Sequence, residues 1–233
     1  MSSTIADSVS VEAVFDQEAT PDSTLIRLYF TGEGITLEDS AAAAQRKASE
    51  AIAAIRANHP SIQQIDAVDV TFGQKEDRIR QESQAFPRPL AVQGVLIITS
   101  PADTVAHYRI VDDGIRRGAL LEHPQNRSFF SDMLNNPILY GLIASGKYES
   151  MAVEGCLKAA TERARVIAAC AGKRPGKLIS VSGGSVEPGS GEPLERDYSS
   201  ICRSLPTRFL SPSPHKVVLS AKLTATFALR DES

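Results

Sequence analysis

The segment Gly172-Lys-Arg-Pro-Gly176-Lys177 has the residue types of a phosphate-binding loop. Glycines would bring backbone N–H groups close to an anion, and lysine would meet its charge. The spacing is one residue short of GxxxxGK, and no Ser or Thr follows Lys177. A helical pattern precedes the segment where a phosphate loop needs a strand, so it reads as a helix C-cap with cations at the negative helix end. Gly183-Gly184-Ser185 and Gly189-Ser190-Gly191 do not spell GxGxxG, and no helical pattern follows them. They read as flexible loop. The histidines His59, His107, His123 and His215 lack metal-ligand spacing. Cys156 and Cys170 flank an apolar helical stripe, with no local histidine to activate either, and read as buried structural thiols. No GxSxG elbow occurs. Asp112-Asp113 and Glu76-Asp77 are the paired carboxylates of note. Acid–base work needs convergence in space, which adjacency does not supply. No catalytic, cofactor-binding or metal-binding residue is assigned on these grounds, and no cofactor is expected. Arginine remains. Arg78, Arg80, Arg196, Arg203 and Arg208 lie in polar or proline-rich stretches and are candidate contacts to an acidic partner.

The composition suits elements that pack. Of 233 residues, 42% are hydrophobic and 23% charged, which excludes a disordered tail, a collagen and a disulfide mini-scaffold. Lys and Arg (25) nearly balance Asp and Glu (28), so no basic field points to nucleic acid. No run approaches the roughly 18–20 apolar residues of a membrane span. The beginning, MSSTIADSVSVEAVFDQ, lacks the basic and apolar regions of a secretory signal, and the three cysteines are widely spaced. The expectation is a reduced, cytoplasmic chain.

Val9, Val11, Ala13 and Phe15 alternate with polar residues, and Leu25–Phe30 is a denser apolar run. Together they predict a hairpin turning around Ala19–Ser23. Thr36-Leu37-Glu38-Asp39 resembles a capping box with Asp for Glu, opening a helix that carries Ala41, Ala44, Ala48, Ala51, Ile52 and Ile55 on one face. Val68, Val70 and Phe72 predict a strand, Gln74–Arg88 an extended arm, and Gly94–Thr99 a buried strand. A helix follows Asp103, with Val105, Tyr108, Val111 and Ile115 as its apolar face. Within 120–147 the spacing predicts two short helices, the second through Ile138, Leu139, Leu142 and Ile143. A long helix runs from Glu149 to Ala171, closed by Gly172. Leu178–Val186 is the next strand, 187–215 a proline-rich loop, and Leu219–Leu229 an alternating strand with one wet face. The order β-β-α-β-β-α-(α)-α-β-β predicts a single α+β domain over 1–233, with antiparallel or mixed sheets and Ala-rich helices packed on one face.

Four features in this order resemble the SIMPL family, named after a mammalian protein that interacts with a pelle-like kinase. Phe30-Thr-Gly-Glu-Gly34 precedes the Ala-rich helix Ala41–Ala57. Val95–Thr99 precedes a helix ending near Ala119. Ala160-Thr-Glu-Arg-Ala164-Arg165-Val-Ile-Ala168-Ala-Cys-Ala171-Gly172 leads into Gly176-Lys177-Leu178-Ile179-Ser180. A proline-containing loop then leads to Lys216–Leu229. The resemblance spans about 24–229, with 120–147 as an insertion and Val9–Phe15 as an added strand. It implies an α+β domain that self-assembles, a ring-like or channel-like oligomer being formed by at least one relative, and it carries no active site over.

These readings point to a non-enzymatic binding or scaffold protein that homo-oligomerises through sheet edges, the Gln74–Arg88 arm and the 187–215 loop. A pocket between 120–147 and the sheet, near Arg165, Arg196 or His123, is the alternative. A signalling adaptor that binds another protein is a third reading.

Overall fold

The structure is a computed structural model that describes residues 7–74, 88–124, 136–189 and 207–231. Strict alternation makes the C-terminal strand β8 (Val217–Asp231) one-sided. Val217, Leu219, Ala221, Leu223, Ala225 and Phe227 are buried, and the residues between them are not. β8 is the centre of a three-stranded sheet between β1 (Ser8–Ala19) and β6 (Lys173–Pro188), antiparallel to both. Helix α3 (Gly146–Cys170) covers one face, setting Ala152, Cys156, Ala160 and Ala164 against β1 and β8.

The second sheet has the order β3-β4-β2-β5-β7 and is antiparallel throughout. Its strands are β2 (Ser23–Glu33), β3 (Ile62–Gln74), β4 (Pro89–Thr99), β5 (Ile138–Leu142) and β7 (Arg208–Ser211). Helices α1 (Leu37–Asn58) and α2 (Thr104–Arg116) pack on one face, over Ile26, Leu28, Phe30, Val95 and Ile97. The fold is α+β with antiparallel sheets, and the helices of each sheet sit on one face.

α1 begins as its sequence predicts. Thr36 Oγ1 accepts from the Asp39 amide at 3.1 Å, and the Asp39 carboxylate accepts from the Thr36 amide at 3.3 Å. Ala44, Ala48 and Ala51 are buried, so the helix axis lies close to β2. At Gly32 the two backbones nearly touch. A Cβ there would collide with the Ser40 carbonyl oxygen and the Ala44 amide nitrogen. The far end of α1 is tied to α2, because Asp113 Oδ2 accepts from Asn58 Nδ2 and contacts His59 Nε2, both at 3.0 Å. The Asn58 hydrogen bond, with the hydrogen bond of His59 and the charges of His59 and the nearby Arg117, lowers the Asp113 carboxyl pKa.

Several expectations are corrected. β1 and β2 do not form a hairpin. β1 pairs with β8, and β2 pairs with β4 and β5. The reason is burial: β2 is covered on both faces and needs neighbours on both sides, whereas β1 alternates and suits a half-wet sheet. Ile138–Leu142 is a strand rather than a helix, buried at all five positions between β2 and β7. Its short apolar run fits either period. α2 buries His107, Ile110, Val111 and Gly114 and exposes Val105, Tyr108 and Ile115. Gly114 lets the helix settle on Leu28, and His107 Nε2 donates to the Ser100 carbonyl at 2.8 Å. Both ends of the 187–215 loop are ordered into strands, β6 running to Pro188 and β7 covering Arg208–Ser211. Gly172, at φ +66, turns α3 directly into β6, so the Gly172–Lys177 segment opens a strand. Most of the Gln74–Arg88 arm, and the segment carrying Phe129, Phe130, Met133 and Leu134, lie outside the described residues.

A methyl group at Gly32 must lift α1 from the sheet. Gly32→Ala is expected to cost about 2 kcal/mol, read as a fall of roughly 6 °C in Tm. Gly146→Ala, at the start of α3 where a Cβ meets nothing within 4 Å, is expected to raise Tm by about 1–3 °C.

Candidate functional site

The exposed flank of the three-stranded sheet differs from the other edges. β6 pairs with β8 along one side and forms a ladder with no other strand among the described residues. α3 packs more on β1 and β8 than on β6. Leu178, Ile179 and Val181 are left 36%, 56% and 47% exposed, on a strand whose backbone edge is open. Natural edge strands are usually blunted by charge, shortness or bulges. β1 carries Glu12, Asp16 and Glu18, and β7 has four residues. β3 has two register shifts against β4, and β6 has three against β8, one of them at Gly183 and Gly184, whose φ values are +84 and +93. β6 also has sixteen residues and exposed apolar groups. Those glycines serve a strand irregularity, which corrects their reading as flexible loop.

Charges of both signs flank the edge, with Lys173 paired to Asp7 and in register with Asp231. Arg174 is the register partner of Arg230, and the Arg230 side chain lies over Gly176. At the other end Glu187 is the register partner of Ser220, whose β1 partner is Asp16. Lys222 bonds Glu12 at 2.8 Å, and that hydrogen bond, helped by the charges of Glu12 and Glu187, raises its pKa.

Of the arginines singled out from the sequence, Arg208 lies exposed on β7, 3.6 Å from Glu149 Oε1 of α3. Arg78, Arg80, Arg196 and Arg203 lie outside the described residues. The histidines do not converge. His59 holds α1 to α2, and His107 anchors α2 to Ser100. His123 Nε2 lies 2.8 Å from Thr71 Oγ1, and its ring stands edge-on to Tyr29 at 5.3 Å. The Tyr29 hydroxyl in turn accepts from Arg27 Nη1 at 3.3 Å. Burial pushes the His123 pKa down. Among the described residues no group of three metal-ligating side chains occurs. Cys156 is buried as expected, donating to the carbonyls of Ala13 and Ala221 at 3.2 and 3.4 Å, and burial pushes its thiol pKa up. Cys170 is exposed, against expectation, because it lies past the last buried turn of α3. Arg165 bonds Glu162 on the outer face of α3 and lines a shallow hollow of about 460 Å³ with Glu154, Leu157 and Lys158. That hollow lies on α3, not under 120–147.

The order of strands and Ala-rich helices now has a counterpart. The family model described as SIMPL, protein of unknown function (DUF541), matches residues 9–227. The chain belongs to the SIMPL family. No curated protein matches it. The SIMPL match begins inside β1, so that strand is part of the family pattern rather than an addition before residue 24. This follows from β1 closing the three-stranded sheet under α3.

In this SIMPL protein the sequence reading missed the β6 edge. Leu178–Val186 was legible as a strand. Its lack of strict alternation was the signal that it is not a core strand, but alternation says nothing about which edge stays open.

His123 binds its proton less readily in the folded protein than in the unfolded chain, where its ordinary pKa is 6.5. The unfolded state therefore gains protons as pH falls through that value, and stability falls with it. The urea midpoint is expected to drop between about pH 7.5 and pH 5.5, and His123→Gln is expected to remove part of that drop.

Proposed function

We propose that this SIMPL protein is a non-enzymatic, self-assembling binding or scaffold protein whose copies join through the edge of β6. The observation that carries this reading is the exposure of Leu178, Ile179 and Val181 on a sixteen-residue edge strand. Its outer N–H and C=O groups can form ladder hydrogen bonds with an added strand, and the apolar side chains lose water when one arrives. A second copy supplies such a strand at the same concentration as the first. The assembling unit is taken as one domain of 1–233. That is supported by Ala19, Leu142, Phe209, Val217 and Leu219, one buried cluster drawn from both sheets. A cytoplasmic location belongs to the same reading. No described helix is long and apolar enough to cross a membrane.

In light scattering the protein is expected to run as a defined species heavier than its 25.0 kDa chain mass. Ile179→Lys with Val181→Lys is expected to reduce it to chain mass without changing the circular dichroism spectrum, since both side chains are about half exposed. A wild-type monomer at tens of micromolar overturns the reading. For that double variant, one unfolding transition shared by near- and far-ultraviolet signals is expected, and two separated transitions would overturn the single domain.

A further inference from the structure

We propose that the outer edge of β1 takes up a short extended peptide of another protein, of the pattern basic–apolar–apolar, as an added antiparallel strand. The site is on the other edge of the three-stranded sheet and does not depend on assembly through β6. Among the described residues β1 pairs with β8 alone. The Asp7 carbonyl accepts from the Leu229 amide. By the period of two, the odd residues of β1 therefore direct their backbone groups at β8, and the even residues direct theirs outward. Two of the outward carbonyls are taken within the chain. Glu12 accepts from Arg163 Nη1 at 2.9 Å, and Glu18 accepts from Gln17 Nε2 at 2.6 Å. Between them, no described group bonds the outward N–H and C=O of Val14 and Asp16.

Beside that open stretch, between β1 and α3, runs a groove of about 430 Å³. Phe15, Met151, Gly155 and Ala159 give it an apolar lining, and Glu154, Lys158 and Glu162 add charges of both signs. The Phe15 ring lies against the bare backbone of Gly155, where any side chain would displace it. An open strand edge beside a groove is the arrangement that strand addition uses: ladder bonds hold the backbone, and the groove takes alternate side chains. The peptide residue opposite Phe15 points to the same face as Phe15 and enters the groove. Its two neighbours exchange hydrogen bonds with Val14 and Asp16 and point to the wet face. Val14 is 48% exposed, and an apolar neighbour covers it. Most carboxylates nearby are matched within the chain: Glu12 by Lys222, Glu18 by Lys216 and Glu162 by Arg165. Asp16 is exposed, is in register with Ser220 and forms no ion pair among the described residues. A lysine or arginine opposite it completes the match. Read from its N-terminus, the antiparallel peptide sets a basic residue opposite Asp16, a large apolar one opposite Phe15 and a β-branched one opposite Val14.

The probe is the peptide acetyl-Ser-Thr-Lys-Leu-Val-Thr-Ser-amide, titrated into isotope-labelled protein and followed by backbone amide chemical shifts. Saturable binding with a dissociation constant below about 1 mM is expected, with the shifts concentrated at Val14, Asp16, Met151 and Ala159. Methylating the peptide's Lys and Val nitrogens removes the donors to the Asp16 and Val14 carbonyls. It is expected to weaken binding at least about tenfold, with the protein itself unaltered. Ala159→Gln fills the groove and is expected to weaken binding roughly fivefold. Asp16→Lys is expected to make the peptide with Glu in place of Lys the better ligand by about threefold. Ile179→Lys with Val181→Lys is expected to leave peptide binding unchanged. Equal binding of the methylated peptide, no saturation, or shifts at β6 in place of β1 overturns the proposal. So does a wild-type scattering mass that falls as peptide is added, since a second copy then holds the edge. A wild-type monomer that binds the peptide at β1 defeats the assembly reading and leaves this one standing.

Discussion

The chain leaves one sheet and enters the other across Thr20, Pro21 and Asp22, and the placement of the remaining elements depends on that crossing. β1 ends at Ala19 and β2 begins at Ser23. The Asp22 carboxylate accepts from the amides of Ile143 and Ala144, at 2.6 and 3.0 Å. A carboxylate holding two backbone N–H groups is among the stronger hydrogen-bond arrangements available near a surface. It ties the crossing to the turn between β5 and α3. Beneath it, Ala19, Leu142, Phe209, Val217 and Leu219 close the seam between the sheets. With the crossing set there, β1 leads back along β8 and β2 enters the middle of the larger sheet.

Small residues let each helix exploit that frame. α1 meets β2 through Ala44, Ala48 and Ala51 and through the bare backbone of Gly32. α3 meets the smaller sheet through Ala152, Cys156, Ala160 and Ala164, and its Gly155 receives the ring of Phe15. α2 settles on Leu28 at Gly114. Alanine and glycine contribute little apolar area each, but they bring backbones close and raise packing density over the whole contact. α3 packs more heavily on β1 and β8 than on β6, where Leu178, Ile179 and Val181 stay exposed. The exposure of these three side chains goes with the lighter packing of α3 on β6.

Much of this was legible in the residues, and the physical reasons are local. Thr36 and Asp39 announce the start of α1 because the capping box closes within four residues. The alternation of β8 follows from a period of two meeting water on one side. Gly172 ends α3 because a left-handed residue is needed there. The class of fold, the absence of a phosphate loop and the family pattern all rest on signals of this short range. The tertiary structure decided what short range cannot reach. β1 and β2 are three residues apart and read as a hairpin, yet their burial patterns send them to different sheets. Ile138–Leu142 fits helix or strand equally, and only the gap between β2 and β7 makes it a strand. Val105, Tyr108 and Ile115 form a plausible apolar face, but Gly114 and His107 fit the sheet more closely and turn that face outward. The β6 edge is the plainest case. Its residues specify a strand, but which strand has a neighbour is a property of the sheet order, set by long-range pairing that no local pattern records.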